Sequence, residues 1–363
     1  MNTSCFIPFV PVFVDFSSKR RESVAIVGAG PAGLAAAEQL RRKGYQVAIY
    51  DRYDRVGGLL IYGIPNFKLE KEIVQRREKL LRDSKVTFYL NTDVGRDVSL
   101  ARLRESHDAV LIATGVYKAR DIQAPGVGLP GIAAALDYLT ASNRHGLGDK
   151  VPEFESGTLN AKGKHVVVLG GGDTAMDCVR TAVRQGAKSV KCLYRRDRAN
   201  MPGSQREVKH AEEEGVEFVW LTAPQSFLGK ETPKGQRVSH VRSVRIHLGM
   251  PDASGRQTPQ EIPDSHVNVE ADLVLKALGF DAEDLAASMK ASFDTTSWGT
   301  LKIDWKNMMT SLDGVFAAGD IVRGASLVVW AVRDGRDAAE RIHAYLTAKA
   351  QDALNSPVAA AAE

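Results

Sequence analysis

Gly28, Gly30 and Gly33, followed eighteen positions later by Asp51, are the first residues whose types and spacing could do chemistry. Gly28 permits a tight turn, Gly30 lets backbone approach a pyrophosphate, and Gly33 lets a helix pack closely on a strand. Pro31 and Ala32 sit inside the same turn. Phosphate oxygens would meet the unpaired N–H groups and positive dipole end of the helix, and a carboxylate in the place of Asp51 accepts hydrogen bonds from ribose hydroxyls. The spacing recurs with Gly170, Gly172 and Ala175 in the three fingerprint places. There the acid is missing, and Arg195 and Arg196 stand twenty and twenty-one positions after Ala175. Two guanidinium groups suit a ribose that carries an extra phosphate. The alternative is that the two arginines form a solvated face or a salt bridge with Asp197.

These residues need strands and helices to position them, and the pattern supplies both. An apolar run from Val24 to Val27 predicts a buried parallel strand, a helical stretch ends at Lys43-Gly44, and a β-branched run from Gln46 to Tyr50 delivers Asp51. Gly57, Gly58 and Gly63 give a flexible loop, and Leu69 to Leu81 reads as an amphipathic helix. Ala109 to Gly115 is a third buried strand; its small-residue turn, with Thr114 and Gly115, allows close backbone approach to a ligand. Beyond a Pro/Gly-rich bend, the spacing predicts a helix from Ile132 to Ser142, a strand from His165 to Leu169, a helix to Gln185-Gly186 and a strand from Ser189 to Tyr194. An acidic helix spans Glu207 to Glu214, polar alternating strands follow, and Ala271 to Gly279 matches the strand at Ala109 to Gly115. Near the end a short strand leads to Gly319-Asp320, and a helix begins near Ser326 with small residues along one side. Asp320 could hydrogen-bond a polyol such as ribityl, or act as an N-cap or turn residue.

Composition bounds the function classes. A chain of 363 residues suggests two domains, and 25% charged with 44% hydrophobic residues marks a soluble globular protein. The net charge of +4 comes without a dominant block of like charge, so no nucleic-acid footprint is indicated. Cys5, Cys178 and Cys192 are far apart and form no CxxC pair, which argues against a disulfide framework, a metal site, an iron-sulfur cluster and a dithiol centre. Cys178 and Cys192 read as buried inert thiols. The first twenty or so residues are apolar but broken by Pro8 and Pro11 and too short to span a bilayer, so an irregular leader on a cytoplasmic protein is expected.

Two fingerprints, one with an acid and one with arginines, suggest two dinucleotides: FAD in the first and NADPH in the second. The cofactors then carry the chemistry, and no catalytic acid, base or nucleophile is expected from the protein. The two cradles are expected to face each other closely enough for a two-electron transfer.

Long runs of the chain resemble a known family. GAGPAGL, GGLLxYGIPxFKLEK, GGGDTAMDCVRTxVRQGA, the YRRD…NMPGSxxEVxxAxEEGVEF stretch and the AAGDIVRG…GR ending are similar to the small (beta) subunit of NADPH-dependent glutamate synthase. They also resemble the NADPH/FAD part of dihydropyrimidine dehydrogenase. The likeness covers roughly Glu22 to Leu346. It implies an α/β fold with two Rossmann-like dinucleotide-binding domains arranged as in glutathione reductase. The FAD domain would be discontinuous, over 22–130 and 290–347, with the NADPH domain and its connecting region at 131–289, after a leader at 1–21 and before a disordered tail at 348–363. Gly28, Gly30, Gly33, Asp51, Gly58, Leu59, Thr114, Gly319 and Asp320 would surround FAD; Gly172, Asp173, Thr174, Arg195 and Arg196 would surround NADPH. Glu207 matches a motif glutamate of the NADPH side, its role left open. Family members carry a cysteine-rich amino-terminal iron-sulfur domain, where this chain has about twenty unrelated residues. NADPH oxidation by FAD is expected to survive, while assembly with the large subunit is left open, the missing part being encoded separately or the chain being a truncated form. A free-standing NADPH:acceptor reductase serving a ferredoxin or quinone is the alternative enzyme, and a nucleotide-binding module without turnover is the non-enzymatic one.

Overall fold

The computed structural model describes residues 20–233, 235–252 and 257–355, so the expected leader through residue 19, with Cys5, and residues 356–363 of the expected tail lie outside it. In chain order the first stretch gives β1 (Ser23–Val27), α1 (Pro31–Arg42), β2 (Gln46–Tyr50), α2 (Leu59–Tyr62), α3 (Lys71–Asp83), β3 (Thr87–Tyr89), α4 (Leu100–Ser106), β4 (Ala109–Ile112) and β5 (Lys118–Ala119). Next come β6 (Ile132–Ala134), α5 (Ala135–Gly146), α6 (Pro152–Glu155), β7 (His165–Leu169), α7 (Asp173–Arg184), β8 (Ser189–Tyr194) and α8 (Gln205–Glu213). Then β9 (Glu217–Trp220), β10 (Thr222–Lys230), β11 (Arg237–Pro251), β12 (Gln257–Glu270), β13 (Leu273–Lys276) and β14 (Phe280–Asp281) follow. The chain closes with α9 (Leu285–Met289), β15 (Val315–Ala317), α10 (Asp320–Arg323) and α11 (Val328–Asn355).

The chain divides into two compact units, the first holding Lys71–Tyr117, the residues up to Ile61 and those from Asp281 onward, the second holding Tyr62–Glu70 and Lys118–Phe280. In the first, five parallel strands run in the order β15-β4-β1-β2-β3. Val27 pairs with both Tyr50 and Ile112, so the glycine turn, Asp51 and the turn after β4 emerge at one edge of the sheet. Apolar strands buried on both faces make this core: Ile26, Leu40, Ile49, Leu111, Phe316 and Ile342 are fully buried, each worth ~1.5–3 kcal/mol in area removed from water. Small residues let α11 lie against α1, since a Cβ at Gly335 would stand 2.1 Å from the Ala32 carbonyl oxygen.

The second unit repeats the plan with the order β6-β13-β7-β8-β9, again all parallel. The β13 strand stands beside the glycine-turn strand β7 as β4 stands beside β1. This unit adds an antiparallel sheet, β10-β11-β12, whose inner face shares a core with Val167, Leu169 and Val274.

Several boundaries differ from the sequence expectation. Residues 118–130 belong to the second unit rather than to the FAD-type domain, because Phe227 N–H bonds to the Pro125 carbonyl, Val238 N–H to that of Pro130, and Gly126 lies against the Phe227 carbonyl. Residues 281–289 belong to the first unit rather than the second, held by an Arg52–Glu283 ion pair and by the close approach of Gly95 to the Ser288 carbonyl. Residues 62–70 leave the first unit altogether: Asn143 Nδ2 donates to the Tyr62 carbonyl and Lys68 pairs with Asp177. The expected helix from Ile132 starts as a strand because 132–134 pair with β13, and α11 begins at Val328 rather than near Ser326. The tail expected to be disordered from 348 stays helical through Asn355, a stretch rich in Ala, Lys and Gln, which are strong helix formers.

Candidate dinucleotide-binding sites

In the first unit the glycine turn is fixed by sterics on three sides. Gly28 has φ +112° and a Cβ there would stand 2.3 Å from the Ala113 carbonyl oxygen. A Cβ at Gly33 would stand 2.0 Å from the Gly28 oxygen, so α1 can approach β1 only through a glycine. Gly58, at φ +54°, runs within reach of the Gly30 Cα, which a Cβ would approach to 3.1 Å. At Gly30 itself a Cβ would meet nothing within 4 Å: this position faces open space. Gly30 is the N-cap of the twelve-residue α1, with Pro31 next, and offers no side-chain cap to the free N–H groups of the first turn.

Asp51 is buried and both of its oxygens are engaged, Oδ2 accepting from the Ala29 N–H (2.6 Å) and Oδ1 from the Tyr53 N–H (2.8 Å). Burial pushes its pKa up, the backbone N–H groups working against that. It thus ties the glycine turn to the end of β2, and it borders a cavity of about 380 Å³. Gly28, Gly30, Pro31, Ala32, Leu59, Thr114, Gly115, Gly319 and Asp320 border the same cavity; Gly33 and Gly58 act from behind it. Asp320 opens α10, accepts a hydrogen bond from Ser326 Oγ (2.7 Å) and has its pKa raised by burial. Sequence reasoning missed, among other lining residues, the polar group Arg52, Tyr53, Tyr117 and Glu283. The first two follow Asp51 directly and could have been found from that adjacency, whereas Glu283 lies 231 positions from Arg52 and left no local signal.

The second cradle is built alike. Gly170 has φ +139° and a Cβ there would stand 2.2 Å from the Ala277 carbonyl oxygen, while Gly172 caps α7 with open space before it. Asp173 and Thr174 begin α7, and Asp173 accepts from the Ser204 N–H (3.1 Å). Gly203 N–H donates to the Gly171 carbonyl (2.9 Å), laying the NMPGS stretch along the turn. Arg195 is exposed and Arg196 half-buried beyond β8, and the Arg196 Nε is buried without a partner. Among the described residues neither arginine forms an ion pair; Asp197 accepts instead from Asn200 N–H and Nδ2, so the expected alternative of a salt bridge to Asp197 is not what forms.

Glu207 lies in a buried ionic network rather than on the glycine turn. Lys68 Nζ sits 2.7 Å from Asp177 and 3.2 Å from Glu207, and Arg180 bridges Glu207 (2.6 Å) to Glu214 (2.8 Å). Burial raises Asp177 to about 6, Lys68 recovering only part of that, whereas hydrogen bonds from Arg184 and Arg180 hold Glu214 near about 2. Phe67 packs its ring under the Arg184 guanidinium at 3.8 Å. Cys178 and Cys192 are both buried and free, and burial pushes the Cys192 thiol to about 12, so neither supplies a thiolate. Among the described residues no group of side chains could hold a metal ion, and no helix is long and apolar enough to cross a membrane.

Comparisons with known proteins follow this geometry. Residues 22–335 match the family described as pyridine nucleotide-disulphide oxidoreductase. The glutamate synthase [NADPH] small chain of Azospirillum brasilense is 67% identical over 342 residues, covering 94% of this chain and 69% of that one. A putative glutamate synthase [NADPH] small chain of Cereibacter sphaeroides is 61% identical, covering 90% and 78%. Among solved structures, Mycobacterium tuberculosis FprA in complex with NADPH superposes with a TM-score of 0.76 at 22% identity, over 92% of this chain and 86% of that one. T. acidophilum thioredoxin reductase gives a TM-score of 0.65 at 20% identity, over 90% of this chain and 98% of that one. These structural likenesses establish the fold: α/β, with two Rossmann-like units.

Proposed function

This chain belongs to the pyridine nucleotide-disulphide oxidoreductases and, within them, to the glutamate synthase [NADPH] small chains, and from that premise we propose that it oxidises NADPH through bound FAD in the cytoplasm and passes the electrons to a large glutamate synthase subunit. One observation carries the division of labour. At the same place in two sheets of like order, just past the second strand, one cradle ends in a buried carboxylate and the other in two guanidinium groups that form no ion pair among the described residues.

Both cradles fit a dinucleotide on their own geometry, since the open faces of Gly30 and Gly172 leave room for a pyrophosphate at a helix start. In the first, the N–H groups beginning α1 hold phosphate oxygens, Asp51 a ribose, and Asp320 the ribityl chain. In the second, Gly170, Gly172, Asp173 and Thr174 hold the NADPH pyrophosphate. Arg195 and Arg196 meet the 2′-phosphate, the Arg196 Nε finding there the acceptor it lacks. FAD supplies the two-electron acceptance of a hydride from the nicotinamide. The chain's part is to bind, to orient and to exclude water, for which no side-chain acid or base is required.

The absorbance spectrum of the purified protein tests this reading. A flavin spectrum that bleaches under anaerobic NADPH is expected; a colourless protein, or a flavin indifferent to NADPH, would overturn it. NADPH oxidation that depends on 2-oxoglutarate and glutamine when the large subunit is added is expected for the partner, whereas turnover with artificial acceptors alone would point to a free-standing reductase.

A further inference from the structure

One wall of the first-unit cavity is built from residues that dinucleotide recognition does not call for. Arg52 donates from Nη1 to Glu283 Oε1 (3.0 Å) and from Nη2 to Oε2 (2.9 Å), a bidentate pair. Its guanidinium carbon lies 5.2 Å from the centre of the Tyr53 ring and 5.0 Å from that of Tyr117, whose rings are 5.7 Å apart. All four residues border the cavity. Burial opposes charge on Arg52, but the Glu283 hydrogen bonds outweigh it and hold the group more firmly protonated.

The position of these partners along the chain gives the cluster its meaning. Tyr117 is the last residue before the chain leaves the first unit for the second time, and Glu283 is the third residue of the segment that returns at Asp281. Arg52 therefore grips the outgoing segment by a cation–π contact and the incoming one by a planar fork. Glu283 leads directly into α9, where Asp284 caps the Ala287 N–H, and Leu285, Ser288 and Met289 border the same cavity. Because Arg52 adjoins Asp51, this wall belongs to the ribose side of the site.

We propose that Arg52 and Glu283 form a clasp at the adenosine end of the FAD site, a positioning pair that ties the last two chain crossings, after Tyr117 and before Asp281, to the first unit and sets how slowly bound FAD leaves. The clasp rests on the FAD reading above. Release requires the segment carrying Glu283 and α9 to part from Arg52, so the pair acts on the exit of the ligand through the walls that enclose it.

FAD release, followed by recovery of free-flavin fluorescence after dilution, tests it. Glu283→Gln keeps the shape and loses the charge; Arg52→Lys keeps the charge and loses the planar fork. Each is expected to release FAD about tenfold faster or more, the loss of one charge-assisted hydrogen bond. Arg52→Gln alone is expected to match Glu283→Gln, the two combined to be no faster than either alone, and exchange of the two, Arg52→Glu with Glu283→Arg, to slow release again. A general loss of folding would not be rescued by the exchange, and the melting temperature of the FAD-free protein gauges such damage separately. Release rates within twofold of wild type in both single variants, or effects that multiply in the double variant, would overturn the clasp while leaving FAD binding intact. A chain that neither holds nor takes up FAD overturns the underlying reading and the clasp with it.

Discussion

At the scale of residues, two glycines in one turn have different tasks, and alanine substitution separates them. Gly28→Ala places a Cβ 2.3 Å from a backbone oxygen at φ +112°, so a loss of ~2–4 kcal/mol in stability is expected, read by thermal or chemical denaturation. Gly30→Ala meets no neighbour and has an ordinary backbone, so the fold should persist while FAD affinity falls, read by flavin titration. Equal melting temperatures for the two variants would contradict this division. Coenzyme choice is also decided by side chains. Arg195→Ala with Arg196→Ala should raise the apparent KM for NADPH by about tenfold or more and leave that for NADH nearly unchanged, because only NADPH carries the phosphate these groups are proposed to meet. A matched rise for both coenzymes would remove the arginines from that role.

At the scale of elements, the segment at 62–70 is held to α7 and α8 by Lys68, Asp177, Glu207 and Arg180, and this makes stability depend on pH. Asp177 is raised from 3.8 to about 6 in the folded protein. The folded state therefore holds its proton more tightly than the unfolded one, so this contribution to stability is full below the unfolded value and is lost as pH rises through about 6. Glu214, lowered to about 2, works in the opposite sense and loses its contribution only as pH falls below its ordinary range. Between roughly pH 4 and 6 the Asp177 effect should dominate: the melting temperature of Asp177→Asn relative to wild type should climb across that interval and level off above it. A difference that stays flat would mean that Asp177 does not titrate there. The same network explains Glu207, which the sequence marks as a motif residue and the structure places between two cations.

At the scale of the molecule, two units of like strand order carry two cradles of opposite polarity at the tip of the second strand. That contrast suits a chain through which electrons pass from one nucleotide to another. Retention of FAD and reduction by NADPH should then be separable. The clasp variants are expected to differ from wild type chiefly in the first, the arginine variants in the second, as measured by flavin release and by anaerobic bleaching.

The amino-acid sequence by itself determined the strands, the glycine turns and the opposed carboxylate and guanidinium groups. Each depends on neighbours within one βαβ unit: a glycine forced to positive φ, apolar runs buried on both faces, a residue delivered at a strand end. The β7 and β8 strands fall at the residues the pattern predicts. Only the tertiary structure decided where one unit stops and the other starts, that residues 62–70 cross over, and that Arg52 meets Glu283. Ion pairs between residues 109 or 231 positions apart impose no periodicity on the chain between them, so nothing local records them until the fold brings the partners together.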